Sequence, residues 1–262
     1  MSEDKVIAKR DGAVGHVIFN NPAKRNAVSL DMWQRFDEIL TEFAADTSIR
    51  ALVVSGAGGK AFVAGADISK FESERASKEA VERYGKISAS AYSKIFNFPK
   101  PTIAKINGYC VGGGMALAVC CDLRFAEDGA KFAIPAAKLG LGYGYPGIYR
   151  LAELVGVSRA MEIFYTARMF SAQEAYDMGF LNRVVPVADL DKVVGETTEM
   201  IAGNAPLTIA AVKAIAREIG KPNAERDFGK LDKMVAACFA SNDYVEGRRA
   251  FMEKRKPKFT GT

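Results

Sequence analysis

The sequence predicts an α/β fold, and three observations carry that prediction. Short apolar runs such as Ala51-Leu-Val-Val-Ser55 and Thr102-Ile-Ala-Lys-Ile106 have the length and composition of buried strands. Each leads through a glycine-bearing turn toward a segment of helical period. The order strand, strand, helix repeats before a stretch that is helical throughout, and such alternation builds an α/β core. The 262 residues are enough for one sizeable core. The division expected is an α/β core over residues 1–200 and a helical region over 201–262.

Taken in order, Val14 to Phe19 reads as a strand and Asn20 to Asn26 as a polar loop. Ser29 is placed as the cap of a helix whose apolar stripe is Trp33, Phe36, Leu40 and Phe43. Residues 70–97 read as a mobile charged loop and then a helix, stopped by Pro99 and Pro101. After the strand 102–106 and a glycine run, a helix continues to about Cys120. Two short strands follow, Asp122 to Ala126 and Lys131 to Ile134. Helices are then expected over 146–155, 158–166, 171–178 (Ser171 as cap, Gly179 beyond the end), 188–203, 206–219 and, with a break, 224–254.

Composition removes several classes of function. Apolar residues make up 49% and charged residues 26%, the balance of a soluble globular protein. No apolar run reaches the roughly eighteen residues of a membrane span. The start, Met1-Ser-Glu-Asp-Lys5, lacks an apolar signal core, so a cytoplasmic address is expected. Four cysteines fit neither a disulfide framework nor a metal knuckle and are expected reduced and mostly buried. The single histidine, His16, lies in a strand, which excludes a multi-histidine metal site and argues against a Ser-His-Asp triad. No metal is expected. The net charge of +5 is densest at Glu253-Lys-Arg-Lys-Pro-Lys258. That segment is either a solvated tail or a cluster for the phosphates of a small molecule; no aromatic-interleaved basic stripe points to nucleic acid.

The chemistry concentrates in Asn107-Gly-Tyr-Cys-Val-Gly112-Gly113-Gly114-Met-Ala116, which leaves a strand and opens an apolar helix. Backbone N–H groups at such a helix start can face an anionic oxygen. Close packing of helix on sheet would explain one glycine, but three together at a helix start fit an anion site better. A second small-residue turn, Ala64-Gly65-Ala66-Asp67, has the same strand-to-helix character.

Four segments together resemble the crotonase (enoyl-CoA hydratase/isomerase) superfamily. They are Asn20-Asn-Pro-Ala-Lys-Arg-Asn-Ala27, Lys60-Ala-Phe-Val-Ala-Gly-Ala-Asp-Ile68, Pro99 to Gly114, and Ser171-Ala-Gln-Glu-Ala-Tyr-Asp-Met-Gly-Phe-Leu-Asn-Arg-Val-Val185. The resemblance covers essentially the whole chain. It implies a spiral of β-β-α repeats with a C-terminal helical trimerisation region, and a homotrimer or homohexamer. It implies an acyl-CoA thioester as ligand, with coenzyme A entering as part of the substrate and no separate cofactor. By motif position it assigns two oxyanion amides to Ala66 and Gly113. It sets Lys24, Ala27, Ala64, Asp67 and Ile68 along the nucleotide and pantetheine.

The chain also departs from that pattern. Where hydratases of the superfamily carry two glutamates, the corresponding residues here are Ala116 and Ala136. Hydration needs one group to activate water and another to protonate the α-carbon, and alanine does neither. Tyr143, in Leu139-Gly-Leu-Gly-Tyr143-Gly-Tyr145, falls where the similar methylmalonyl-CoA decarboxylases have a tyrosine facing the substrate carboxylate. Those enzymes carry a histidine where this chain has Ala66. The two tyrosines equally fit a loop packed against a neighbour. Glu72, Glu74 and Glu82 belong to the charged segment and could swing over the acyl pocket. Asp122 reads as a buried structural acceptor, Lys138 as solvent-facing and Cys110 as a packing residue. The primary expectation is an acyl-CoA enzyme holding a thioester enolate at Ala66 and Gly113. Its alternatives are a decarboxylase of a malonyl-type acyl-CoA using Tyr143 and a non-catalytic acyl-CoA-binding protein.

Overall fold

A computed structural model describes residues 4–70 and 76–262. Strands β1 (Val6–Asp11) and β2 (Val14–Phe19) pair antiparallel, and helix α1 (Leu30–Ala45) follows. One plan then repeats. β3 (Ala51–Gly56), β4 (Ala61–Val63) and α2 (Lys78–Phe96) make a first turn. β5 (Thr102–Ile106), β6 (Tyr109–Val111) and α3 (Gly113–Cys120) make a second. β7 (Leu123–Glu127), β8 (Lys131–Ala133), α4 (Tyr145–Val155) and α5 (Val157–Thr166) make a third. In each turn the longer strand joins a six-stranded sheet ordered β1-β2-β3-β5-β7 and ending in β10 (Arg183–Val185), and the shorter one joins a sheet ordered β4-β6-β8 and ending in β9 (Phe170–Ser171). Every turn advances the same way, so neighbouring strands from successive turns run parallel in both sheets. The expected β-β-α spiral is therefore observed.

β9 (Phe170–Ser171) closes the small sheet antiparallel to β8, and β10 (Arg183–Val185) closes the large one parallel to β7. Between them, α6 (Ala172–Asp177) starts with a capping box. Ser171 Oγ accepts from Glu174 N–H, and the Glu174 carboxylate accepts from Ser171 N–H. The helical remainder is α7 (Leu190–Ala202), α8 (Pro206–Ile219), α9 (Phe228–Ala240) and α10 (Asn242–Met252). The break expected within 224–254 falls at Ser241, whose hydroxyl caps α10 by accepting from Tyr244 N–H.

Burial follows the sequence pattern. β3 is buried on both faces, as a central parallel strand between covering layers must be. α1 buries Met32, Trp33, Phe36, Ile39, Leu40 and Phe43 as one stripe, each contributing about 1.5–3 kcal/mol by leaving water. Trp33 sits at the centre of an aromatic cluster with Phe19, Phe36 and Tyr92. On the far side of the large sheet, Leu190 and Val194 of α7 pack on Val53, Ile103 and Phe125.

One local expectation was wrong in detail. Ser29 stands at the N-cap of α1, but its hydroxyl donates to Asp31 and caps no backbone N–H.

Candidate functional site

The two small-residue turns meet. β4 ends at Val63, and Gly65 turns the chain at φ +97°, a left-handed value open to glycine. Val28 N–H donates to Gly65 O at 2.8 Å and Asp67 N–H donates to Val28 O at 3.0 Å. Those bonds bracket Ala66, whose own N–H has no hydrogen-bond partner among the described residues. β6 runs into Gly112, the N-cap of α3, so Gly113 N–H is the first of the helix and lacks an intrahelical acceptor. A Cβ on Gly65 would stand 3.9 Å from Gly113 N, and one on Gly113 would stand 3.9 Å from the Gly65 carbonyl carbon. The close approach is enforced at Gly114, where a Cβ would lie 2.0 Å from Val63 O. The turn at Gly65 and the start of α3 thus lie side by side, and N–H groups at a helix start can face a negatively charged oxygen.

Among the described residues, two phenols bond the carbonyls of this run. Tyr92, on α2, donates its hydroxyl to Gly113 O at 3.1 Å. Tyr143 reaches Gly112 O at the long limit of 3.5 Å, its ring edge-on to Phe164 at 4.9 Å. Burial pushes the Tyr143 phenol up to about 12, so it stays protonated at neutral pH. Tyr145 differs: it is three-quarters exposed and stacks on Tyr149, so the two tyrosines do not act as a pair. Ala116 is half-buried on the first turn of α3. Ala136 is buried in the short 3-10 helix Pro135–Leu139, and Pro135 abuts Gly112. Among the described residues, no cluster of His, Cys, Asp or Glu could hold a metal ion.

Most of the residues expected along a nucleotide also come together. Lys24 Nζ lies 2.8 Å from Asp67 Oδ2 and 2.6 Å from Ser69 Oγ. Burial alone would raise the Asp67 carboxyl; the Lys24 ammonium and Ser69 hydroxyl outweigh it and hold the group below the usual carboxylate range. Ala64 N–H donates to Arg25 O at 3.1 Å, Ala27 is buried in the same loop, and Ile68 opens the 3-10 helix Ile68–Lys70.

The residue that holds this loop was not singled out by sequence. Asn26, fully buried at φ +56°, donates through Nδ2 to Ala57 O and Ala61 O and accepts from Asn21 N–H. Asn tolerates the left-handed region better than most residues, which was the available signal. Ser69 and Tyr92 were missed as well. Tyr92 carries no local signal, because its role depends on α2 crossing the start of α3.

Other expectations divide. Asp122 accepts from Thr102 N–H at 2.8 Å, Lys213 Nζ at 2.7 Å and Arg217 Nη2 at 2.7 Å, as a structural acceptor should. Lys138 is exposed. The cysteines are free thiols, with Cys110, Cys120 and Cys121 buried. His16 lies in β2 at half burial, which lowers its pKa. Glu82 sits on the exposed side of α2 and not in a loop, while Glu72 and Glu74 lie outside the described residues. The basic C-terminal segment is not a free tail. Arg255 pairs with Glu246 and Glu253, and Asp243 accepts from Thr260 and Gly261 N–H. No helix among the described residues is long and apolar enough to cross a membrane.

A β-β-α spiral whose second turn opens a helix on a glycine run defines a crotonase-type protein. The profile of the enoyl-CoA hydratase/isomerase family matches residues 9–262, and the chain belongs to that family. It is 34% identical to a crotonyl-CoA hydratase of Syntrophomonas wolfei subsp. wolfei, over 99% of each chain. It is 34% identical to a carnitinyl-CoA dehydratase of Proteus mirabilis, over 95% of this chain and 96% of that one. A crystal structure of an enoyl-CoA hydratase/carnithine racemase from Magnetospirillum magneticum superposes with a TM-score of 0.95 at 36% identity, covering 100% of this chain and 97% of that one. The protein is thus an acyl-CoA-processing enzyme of the lyase or isomerase kind.

Proposed function

We propose that the enzyme binds an acyl-CoA with its thioester oxygen between Ala66 N–H and Gly113 N–H and works through the enolate. The observation that carries this is the convergence of the Gly65-Ala66 peptide on the start of α3, with Ala66 N–H left without a partner among the described residues. Proton removal, attack or decarboxylation next to a thioester all place negative charge on that oxygen. Two fixed amides stabilise it, and losing one such donor costs about 3 kcal/mol of barrier. On this reading Lys24, Ala27, Ala64, Asp67 and Ile68 border the nucleotide and pantetheine, and coenzyme A needs no further cofactor beside it. Residues 201–262 cover a neighbouring copy in a homotrimer or homohexamer, and the enzyme works in the cytoplasm.

Ala116 and Ala136 hold no exchangeable side-chain proton, so two-carboxylate hydration is not the reaction expected. A second reading is favoured by Tyr143, a neutral phenol beside the glycine run. Decarboxylation of a malonyl-type acyl-CoA breaks the bond from the α-carbon to the carboxylate. It leaves the electron pair in the enolate and needs no base; water then returns a proton to the α-carbon. Tyr143 would orient the carboxylate by donating to it.

Crotonyl-CoA, a 3-enoyl-CoA and methylmalonyl-CoA offered to the purified enzyme separate these readings, with enoyl absorbance and CO₂ release followed. Gly113→Pro, which removes one amide, should lower turnover about 10²–10³-fold; unchanged turnover would refute the oxyanion assignment. Crotonyl-CoA hydration that survives Tyr143→Phe would exclude the decarboxylase reading. Tight acyl-CoA binding without turnover would mark a binding protein.

A further inference from the structure

We propose that Tyr92 is a positioning residue of this site: its hydroxyl, donated to the Gly113 carbonyl, fixes the rotation of Gly113 and so aims the Gly113 N–H at the acyl oxygen. The proposal rests on the oxyanion reading above and names the group that makes that amide a fixed donor. A glycine has no side chain to hold its peptides, and the first residue of a helix has no intrahelical bond on its N–H. Gly113 combines both: the peptide that carries its N–H is held on one side by the bond from Ala116 N–H to Gly112 O at 3.0 Å, and Tyr92 adds a bond to the next carbonyl, so the residue is held from both sides.

The carbonyls on either side of the Gly113 N–H are each met by a phenol. Tyr92 is the closer, at 3.1 Å against 3.5 Å for Tyr143, and distance favours it as the stronger bond. Its ring is held edge-on to Trp33 at 4.9 Å. Trp33 is buried among Phe19 and Phe36, and its Nε1–H donates to Tyr84 Oη at 3.1 Å. The hydroxyl therefore has little freedom, and one side chain ties α1, α2 and α3 together at the amide. The glycine itself leaves room for this contact. A Cβ at residue 113 would stand 3.1 Å from Tyr92 Oη, tight enough to push it by a few tenths of an ångström and lengthen its bond to Gly113 O.

The test uses acetoacetyl-CoA, a thioester that releases its α-proton to the buffer and whose enolate absorbs in the near ultraviolet. At one fixed pH, saturating wild-type protein should raise the enolate fraction of the bound probe above that of free probe. Tyr92→Phe keeps the ring on Trp33. It should bind the probe within about twofold of wild type yet lower the bound enolate-to-keto ratio about fivefold, the worth of one hydrogen bond. Gly113→Ala reads the same contact with the Tyr92 ring untouched and should lower the ratio similarly, while adding nothing in a Tyr92→Phe background. A wild-type ratio in Tyr92→Phe or in Gly113→Ala overturns the proposal and leaves the oxyanion reading standing. Equal losses of affinity and enolate signal in Tyr92→Phe would mark mere packing and overturn it too. A wild-type protein that binds the probe without raising its enolate overturns the oxyanion reading and the proposal together.

Discussion

Helix α3 is finished differently at its two ends. At the C-terminal end, charged side chains close on the backbone. Arg124, buried, donates to Cys121 O at 2.7 Å and Phe180 O at 2.6 Å, and Asp122 joins Thr102 to Lys213 and Arg217. Cations beside a helix C-terminus also suit its dipole. At the N-terminal end no charged side chain among the described residues bonds the glycines, and Gly113 lies against Gly65. One end is completed by the protein itself, and the other is the end to which the proposed function assigns the ligand. The difference separates residues that hold the helix from residues that use it.

Substitutions should split between holding and using the helix, with Gly114 the one N-terminal glycine on the holding side because it packs on β4. The largest loss of stability is expected for Gly114→Ala, since the new methyl meets the Val63 carbonyl at 2.0 Å and β4 must shift. A cost of about 3 kcal/mol is expected from such overpacking, read as a lower urea midpoint. Asp122→Ala should follow at about 2–3 kcal/mol, because it strands Lys213 and Arg217 with their solvent access reduced. Gly113→Pro should leave the unfolding free energy from urea titration within about 1 kcal/mol of wild type, proline being well suited to the first helical position. Loss of fold in Gly113→Pro, or a neutral Asp122→Ala, would break the contrast.

The smallest effect concerns acid. Hydrogen bonds from Ser171 N–H and then Arg168 depress the Glu174 carboxyl from its ordinary value near 4.5 to about 2. A depressed carboxyl contributes stability above its unfolded value and loses it as pH falls through the folded one. Stability should therefore decline between about pH 4.5 and 2, and less so in Glu174→Gln, as followed by thermal melts across that range. Ser171 and Glu174 are remote from α3, so acid should weaken the α6 cap without altering the contrast between the two ends.

Much of this was readable in the chain. The alternation of short apolar runs with helical segments pointed to the α/β core, because it depends on neighbours in sequence, and the resemblance of four segments to the crotonase superfamily implied the spiral. Ser171 with Glu174 three residues on is a local signature, and it formed. The polar edge strand β1 was missed because only Val6 of its six residues is buried. β4, β6, β9 and β10 were missed because two or three residues carry no period. Asn26 and Tyr92 act on carbonyls far along the chain, a relation composed by the fold and invisible to spacing. The basic segment misled for the same reason, since its partner Glu246 lies within the preceding helix.

Trp33 is the single tryptophan of the chain. Its indole lies edge-on to Tyr92, whose hydroxyl donates to the Gly113 carbonyl. The protein therefore carries its own optical probe. Excited near the red edge of its absorption, where tyrosine is silent, the indole reports from two side-chain contacts away on whatever occupies the gap between the two turns. Ligand titrations can be followed by intrinsic fluorescence with no dye, label or added residue.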